Sequence, residues 1–372
     1  MDVTNKDDLS LVYSPGVAEP CMEIYRNPER VYDLTMKGNT VAVISDGTAV
    51  LGLGNIGAKA AIPVMEGKAM LFKKFAGIDA IPICLDTEDP EEIIRTVKLL
   101  APVFGGINLE DISAPRSFQI ENALQDIGIP VMHDDQHGTA VVVLAGLINA
   151  AKVVGKNIGD LKIVINGAGA AGNAIARLLT CLSLEPHLCT SVKSIVICDS
   201  KGIISKDRTD LNETKKYSLK FTNLKNISGT LKDALVDADV FIGVSVAGLL
   251  NRNDIQTMAK DAIVFGLANP VPEIMPEEAK AGGAAVVATG RSDFNNQVNN
   301  VLAFPGIFKG ALSSRAPQIT SLMKLAAAYA IANAVDNPSP EYVIPSALDM
   351  TIADKVAEAV SKASEIQHVV EH

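Results

Sequence analysis

Two pairs of adjacent carboxylates stand where apolar, strand-like segments of the sequence end. Glu110 and Asp111 close one such segment, and Asp134 and Asp135 close the next. Because the carboxyl ends of parallel strands line the ligand crevice of an α/β sheet, we expect these acids to converge there. Adjacent acids share one ion only if the strand ends beside them, and such hard oxygen ligands favour Mg²⁺ or Mn²⁺. The alternative is that the same acids cap the helices that follow.

A lysine falls within an apolar helical stripe. Over the predicted helix 63–75, apolar side chains recur at spacings of three and four, and Lys68 lies midway between Val64 and Phe72. Burial in that stripe would lower the pKa of the lysine ammonium towards the range of a general base. Alternatively, the long side chain reaches past the stripe to solvent. The pattern alone leaves both interpretations open.

A glycine-rich loop predicts a dinucleotide site. The G-x-G-x-x-G pattern of Gly167, Gly169 and Gly172 follows an apolar strand and opens an alanine-rich helix. The next apolar strand ends in Asp199, where an acid would bind the ribose hydroxyl and favour NAD over NADP. The alternative is a tight strand-to-helix turn that holds no ligand.

An earlier match to the same glycine pattern lacks this context. Gly52, Gly54 and Gly57 are not directly preceded by a clean strand, and the following helix is predicted to begin only at Pro63. We therefore predict a structural or substrate-loop role for this segment rather than a second nucleotide site.

Two histidines, His133 and His137, have the spacing of a zinc site on a helix. No helix is expected across Asp134 and Asp135, so the spacing does not bring the imidazoles together. The sequence therefore disfavours zinc.

The order of predicted elements indicates an α/β protein of two domains. Strands and helices alternate, which favours parallel sheets covered by helices. We place an N-terminal domain at 1–137 and a Rossmann-type domain at 138–305; in the remainder, 306–372, helices at 316–335 and 347–364 should return to the first domain. The predicted strands are 41–47, 79–86, 105–113, 129–135, 161–169, 194–200, 238–245, 262–269 and 284–290, and further helices are 90–100, 115–126, 138–151 and 171–182.

Composition excludes two classes of protein. The formal net charge of −10, from 33 basic and 43 acidic residues, argues against a nucleic-acid binder and against a polybasic membrane-surface protein. The longest apolar stretch, 138–151, is too short to span a bilayer. The five cysteines form no C-x-x-C pair, which favours reduced thiols and a cytoplasmic location.

Seven segments in the same order resemble the malic enzyme family, in its shorter bacterial form, over nearly the whole chain. They are YSPGVAEP (13–20), LGLGNIGAKAAIPVMEGKAMLF (51–72), LEDIS (109–113), HDDQHGTAVV (133–142), NGAGAAG (166–172), FGLANPVPE (265–273) and NNVLAFPG (299–306).

The resemblance implies catalytic and metal-binding roles for residues of the first domain. Tyr13 would be the general acid and Lys68 the general base, and Asp134, a third catalytic residue, would support the metal ligands. The divalent ion, Mn²⁺ or Mg²⁺, would be held by three carboxylates: Glu110, Asp111 and Asp135.

The resemblance also implies substrate and cofactor contacts. The substrate, L-malate, would contact Asn269 and Asn300 as well as Lys68. The dinucleotide would be held by Asp199 and by the loop Gly167, Ala168, Gly169, Ala170, Ala171 and Gly172. Asp199 favours NAD, whereas Ser200 and Lys201 could reach the 2′-phosphate of NADP.

The implied activity is oxidative decarboxylation of L-malate to pyruvate and CO₂ by a homodimer or a pair of dimers, with active sites built across subunits. Two alternatives stay open: a metal-dependent oxaloacetate decarboxylase with little malate oxidation, and a non-catalytic dinucleotide-sensing protein. The chain departs from larger relatives at Ala49, where they carry an arginine that binds the substrate carboxylate. The family also usually has a further helical segment before Tyr13.

Overall fold

The computed structural model describes residues 2–50, 52–182, 184 and 188–370. Two β-sheets, each packed against helices, form the α/β fold predicted from the sequence. Apolar side chains from the sheets and from the helices that cover them form the core.

The first sheet lies in the N-terminal part of the chain. Its strands are β1 (Thr40–Ser45), β2 (Asp79–Cys84), β3 (Gly106–Leu109) and β4 (Val131–His133). They run parallel in the order β2-β1-β3-β4, and every residue of β1 is buried, as expected for a continuous apolar run covered on both faces. Leu109 pairs with His133, so β3 and β4 end side by side.

The second sheet follows in the chain. Its strands are β5 (Lys162–Asn166), β6 (Ser194–Asp199), β7 (Gly202–Ile203), β8 (Val240–Gly243), β9 (Ala262–Gly266) and β10 (Ala284–Thr289). Their order is β10-β9-β8-β5-β6-β7, and only β7 is antiparallel within this described sheet. The order reverses between β5 and β8, which creates the crevice where ligands bind in such sheets.

The helices cover both sheets. They are α1 (Lys6–Val12), α2 (Ala18–Arg26), α3 (Val31–Leu34), α4 (Gly57–Ala76), α5 (Pro90–Leu100), α6 (Arg116–Ala123), α7 (Asp134–Val153), α8 (Ala170–Leu179), α9 (Glu213–Ser218), α10 (Leu231–Leu235), α11 (Arg252–Gln256), α12 (Pro276–Ala281), α13 (Phe304–Ser313), α14 (Ser321–Asn333) and α15 (Ile352–Val370). None of the described helices combines the length and the hydropathy needed to cross a bilayer.

Two helices begin earlier than the sequence predicts. Helix α4 begins at Gly57, and Pro63 lies in its second turn. Proline is typical of a first turn, which is why the pattern points to a later start. Helix α7 begins at Asp134, so Asp134 and Asp135 belong to its first turn and not to a strand end. Their negative charge there is stabilised by the helix dipole.

The N-terminal segment is helical, although the sequence pattern predicts an irregular structure. Neither α1 nor α2 has a buried residue. Their exposed large apolar side chains are Leu9, Leu11, Val12, Met22 and Tyr25. Within the described part of the chain, this apolar surface is therefore left uncovered.

The C-terminal helices return to the first sheet, as predicted, but with other boundaries. Helix α13 precedes the predicted helix 316–335, and α14 lies inside it. Helix α13 packs on α4 and α15, and the Phe72 ring lies 4.7 Å from Phe304 and 5.5 Å from Phe308. Helix α14 packs against α7. These contacts fix α4 and α7, which carry Lys68 and Asp134.

Two of the cysteines are paired with each other. Cys181 and Cys189 form a disulfide, so the prediction of reduced thiols is wrong for this pair. The turn after α8 brings their α-carbons within 5.8 Å, a proximity that residue spacing does not reveal. Cys21, Cys84 and Cys198 are free.

Candidate active site

Lys68 lies on the buried face of α4 and does not reach solvent. Its side chain is 7% exposed, and its Nζ lies 2.7 Å from Glu110 Oε1 and 2.5 Å from Asp134 Oδ2. The ammonium also stands 4.1 Å from the centre of the Phe304 ring. The structure therefore excludes the alternative in which Lys68 extends to the surface.

The expected direction of the Lys68 pKa is wrong. Burial alone would lower this pKa, but the carboxylates of Asp134, Glu110 and Asp135 outweigh burial and raise it above its ordinary value. The sequence pattern shows the apolar stripe around Lys68 and not the acids that the first sheet brings against it. As described, Lys68 is a charged ammonium that neutralises neighbouring carboxylates.

Three carboxylates converge as the sequence predicts. Oxygen atoms of Glu110, Asp111 and Asp135 lie within 4.8 Å of one another. Strand β3 ends at Leu109, and Asp111 adopts a φ of 53°, so the chain turns sharply and both acids reach one site. Asp135 comes from the first turn of α7 and accepts a hydrogen bond from the Asp111 backbone N–H at 2.8 Å.

The chemistry of this carboxylate group fits a divalent cation. Burial, together with Asp135 and Glu110, raises the pKa of Asp111 to about 8, because ionised carboxylates repel one another here. Asp111 Oδ2 is buried and has no hydrogen-bond partner among the described residues. A hard cation would accept these oxygens as ligands and relieve the repulsion.

Asp134 joins Lys68 to a residue from another part of the chain. Its Oδ2 accepts hydrogen bonds from Lys68 Nζ and from Asn300 Nδ2, each at 2.5 Å. Burial raises the pKa of Asp134 to about 7, against the opposing charge of Lys68. Asn300 is thus brought to Asp134 and Lys68, whereas Asn269 is exposed after the carboxyl end of β9, close to Gly52.

The first glycine pattern lies beside the site. It follows β1 through a loop, and α4 begins at Gly57. The backbone of Gly52 lies against the carbonyl of Asn269, and the Ala49 N–H donates to the Asp111 carbonyl at 2.9 Å. This placement is compatible with the predicted structural or substrate-loop role.

Tyr13 is not brought to the carboxylates within a single chain. Its side chain is 68% exposed at the end of α1. Among the described residues, no hydrogen bond links the Tyr13 phenol to Lys68 or to the acids around it. A general-acid role for Tyr13 would require an approach from outside the chain.

The second glycine pattern has the predicted strand–loop–helix context. Strand β5 ends at Asn166, and α8 begins at Ala170. A β-carbon at Gly172 would lie 1.8 Å from the Gly167 carbonyl oxygen, whereas one at Gly169 would meet nothing within 4 Å. Gly172 thus permits close packing of the loop, and Gly169 leaves its outer side open, as a bound pyrophosphate requires.

Asp199 is held by cations that sequence reasoning missed. Arg208 forms two hydrogen bonds to its carboxylate, at 2.8 and 3.0 Å, and Lys215 Nζ lies 2.7 Å away. Burial opposes ionisation, but these cations hold the pKa of Asp199 at about 2. Lys201 pairs instead with Asp210. Sequence spacing gave no signal for Arg208 or Lys215, which lie in a polar segment beyond the strand.

The histidines near the site do not form a zinc centre. A helix does begin at Asp134, contrary to prediction, but His137 Nε2 lies 3.0 Å from Glu121 Oε1. Among the described residues, neither imidazole belongs to a group of three potential metal ligands. The reason given from the sequence is thus wrong, because a helix does start at Asp134.

Comparison with known proteins agrees with this geometry. The family profile for the N-terminal domain of malic enzyme matches residues 1–125, and that for the NAD binding domain of malic enzyme matches residues 136–365. The chain belongs to the malic enzyme family. The family resemblance and the NAD-binding domain inferred from the sequence are thereby confirmed.

Individual malic enzymes match along nearly the full chain. The bifunctional malic/malolactic enzyme of Bacillus subtilis (strain 168) is 59% identical, over 98% of this chain and 88% of that protein. The NAD-dependent malic enzyme of Geobacillus stearothermophilus is 55% identical, over 97% and 74%. The crystal structure of malic enzyme from Pyrococcus horikoshii Ot3 matches with a TM-score of 0.93 at 50% identity, over 99% and 86%.

Proposed function

We propose that this protein catalyses the oxidative decarboxylation of L-malate to pyruvate and CO₂ with reduction of NAD, and that NADP is its alternative cofactor. One observation carries the proposal: Lys68 contacts Glu110 and Asp134 directly, beside a group of oxygen ligands suited to a divalent cation. The site therefore combines a base, Lys68, with an acid that can exchange a proton with it, Asp134, and with the ligands of a cation. The overall charge of −10 does not by itself oppose an anionic substrate, because Lys68 and a bound divalent cation would offset the charge of the carboxylates around them.

Each residue of the site has its own proposed role. The neighbouring carboxylates hold Lys68 as an ammonium, so it must first lose a proton to Asp134, whose pKa is raised to about 7. A cation on the other carboxylates would offset their charge and favour this transfer. The free Lys68 amine would then take the proton from the hydroxyl on the second carbon of malate. Asp134 orients the Lys68 amine and is its nearest proton acceptor, and Asn300 holds Asp134. Asn269 and Asn300 are proposed to contact the substrate. NAD, when bound, would supply the hydride acceptor, and Glu110, Asp111 and Asp135 would hold Mn²⁺ or Mg²⁺, which would supply a Lewis acid for the loss of CO₂.

Tyr13 would protonate the third carbon after CO₂ is lost, and we propose that it acts across a homodimer. An ordinary phenol is protonated at neutral pH, as an acid must be. The phenol is exposed and the helices beside it display uncovered apolar side chains, which supports burial against a second copy of the chain. A dimer, or a pair of dimers, would then complete each active site.

The remaining assignments are also proposals. We propose a catalytic domain at 1–137, a dinucleotide-binding domain at 138–305 and a returning helical segment at 306–372. The family profiles, which change between residues 125 and 136, support a division near the start of α7. We further propose a cytoplasmic enzyme that does not bind nucleic acid, which its acidic charge supports.

A steady-state assay tests the activity. L-Malate and Mn²⁺ are supplied with NAD or NADP in turn, and formation of the reduced cofactor is followed by absorbance. We expect malate-dependent reduction of NAD together with release of pyruvate. Consumption of oxaloacetate without malate oxidation would favour the decarboxylase alternative, and binding of NAD without binding of Mn²⁺ would favour the sensing protein.

A further inference from the structure

A large cavity lies away from the carboxylate group, on the other side of the start of α7. Its volume is about 1110 Å³, and α6, α8, α9, α14 and the first turn of α7 contribute to its wall. None of the residues proposed above for catalysis, metal binding or dinucleotide binding lines it, although Phe118 and Thr214 also line the smaller cavity beside Gly169 and Asp199. Gln136 and His137, which follow the metal-ligand candidate Asp135 in the chain, form part of the wall.

The wall carries hydrogen-bond donors without acceptors. Gln136 is 2% exposed, and its Nε2 has no partner among the described residues. Helix α14 begins at the cavity, where Thr320 Oγ1 caps it by accepting the Met323 N–H. The backbone N–H groups of Ser321 and Leu322 in this first turn have no partner inside the helix. The helix dipole adds positive potential at the same place.

The side-chain charges of the cavity are also suited to an anion. Lys324 is half-buried in the wall and Arg177 is exposed at its mouth, and neither forms an ion pair within the described ranges. Burial lowers the pKa of Lys324 to about 8; Glu121 opposes this shift and Arg177 adds to it, so the ammonium is still mostly charged at neutral pH. Two acids also line the wall: Glu121 is engaged by His137 and by the His133 N–H, and Glu213 pairs with Lys216.

We propose that this cavity binds a phosphorylated organic molecule as a regulatory ligand. The phosphate would take the α14 N-terminus, the Gln136 amide and the Lys324 ammonium, a set of donors larger than a single carboxylate needs. The aromatic side chains of Phe118, Tyr217 and Phe221 would cover its organic part.

A ligand in the cavity would affect the position of the carboxylate group through α7. Gln136 and His137 share the first turn of this helix with Asp134 and Asp135. A ligand that fixes Gln136 therefore fixes the backbone that presents these two acids to Lys68 and to the cation. On the function proposed above, a ligand in this cavity changes the apparent affinity for L-malate without contacting the substrate.

The test uses the protein with Mn²⁺ and saturating NAD, so that the dinucleotide site is occupied. The probe is anilinonaphthalene sulfonate, an anion with an aromatic body, whose fluorescence reports binding. Lys324→Met removes the charge, and Ser321→Trp fills the cavity without changing charge. Lys355→Met, on the exposed side of α15, is the matched control. Thermal unfolding verifies that each variant is folded.

We expect dye affinity to fall about tenfold in Lys324→Met and Ser321→Trp and to stay within about twofold in Lys355→Met. Inorganic phosphate should displace the dye more effectively than acetate at equal ionic strength, and bound phosphate should change the KM for L-malate. Equal dye affinity in all variants would overturn the site. Equal displacement by acetate and phosphate would overturn the phosphate assignment.

Discussion

The glycines of the dinucleotide loop allow packing and ligand binding to be separated. A β-carbon at Gly172 would lie 1.8 Å from the Gly167 carbonyl oxygen, so Gly172→Ala must displace the loop backbone. Overpacking of this kind costs about 1–3 kcal/mol in the free energy of unfolding. A β-carbon at Gly169 meets nothing within 4 Å, so Gly169→Ala should change that free energy by less than about 0.5 kcal/mol.

Both variants should bind NAD more weakly, but only Gly172→Ala should also lower the Tm. The pyrophosphate of NAD approaches the open side of Gly169, so Gly169→Ala should lower the affinity for NAD about tenfold at an unchanged Tm. Gly172→Ala should lower both the Tm of the ligand-free protein and its NAD affinity. Thermal unfolding and calorimetric titration measure the two effects. A wild-type Tm for Gly172→Ala, or wild-type NAD affinity for Gly169→Ala, would refute this reasoning.

Four further predictions concern the metal, the cofactor, the stability at low pH and the dimer. Asp111→Asn should lower the affinity for Mn²⁺ at least about tenfold in a calorimetric titration, and L-malate oxidation should recover in part at high Mn²⁺ concentration. Unchanged Mn²⁺ affinity would show that Asp111 is not a ligand. Arg208→Gln should raise kcat/KM for NAD relative to NADP, because Asp199 becomes free to bind the ribose hydroxyl. The cations around Asp199 lower its pKa from 3.8 to about 2, so the free energy of unfolding of the wild type should fall as the pH drops from about 4 to about 2. This loss should be smaller in Arg208→Gln. Equal dependence of the unfolding free energy on pH in the two proteins would contradict the expectation. Mixing unfolded and refolded Tyr13→Phe with Lys68→Ala should restore activity that neither variant has alone, and no restoration would contradict a shared active site.

The sequence predicts the fold and the convergence of the acids because both depend on local pattern. Alternating apolar segments indicate parallel sheets, and acids at their ends indicate where ligands meet. The pattern fails where a residue has two roles. Asp134 and Asp135 continue an apolar strand in sequence but begin α7, since carboxylates also suit a helix N-terminus.

Long-range partners are the part of the site that the sequence does not reveal. The pKa of Lys68 depends on acids that another helix and a strand bring to it, and its direction is opposite to that expected from burial alone. The cations on Asp199 come from a polar segment with no periodicity. Tyr13 lies in a recognisable motif, yet its side chain is exposed in the single chain, away from the acids and Lys68.

The central claim is that Lys68 is the base of malate oxidation, and substitution of Lys68 tests it most directly. Lys68→Ala is compared with Lys73→Ala, an exposed lysine of the same helix paired at 2.8 Å with Asp79. With Mn²⁺, NAD and L-malate, we predict that kcat falls at least about 10²-fold in Lys68→Ala, with NAD affinity kept within a few-fold. Lys73→Ala should keep wild-type kcat. Near-normal malate oxidation by folded Lys68→Ala would contradict the proposed mechanism.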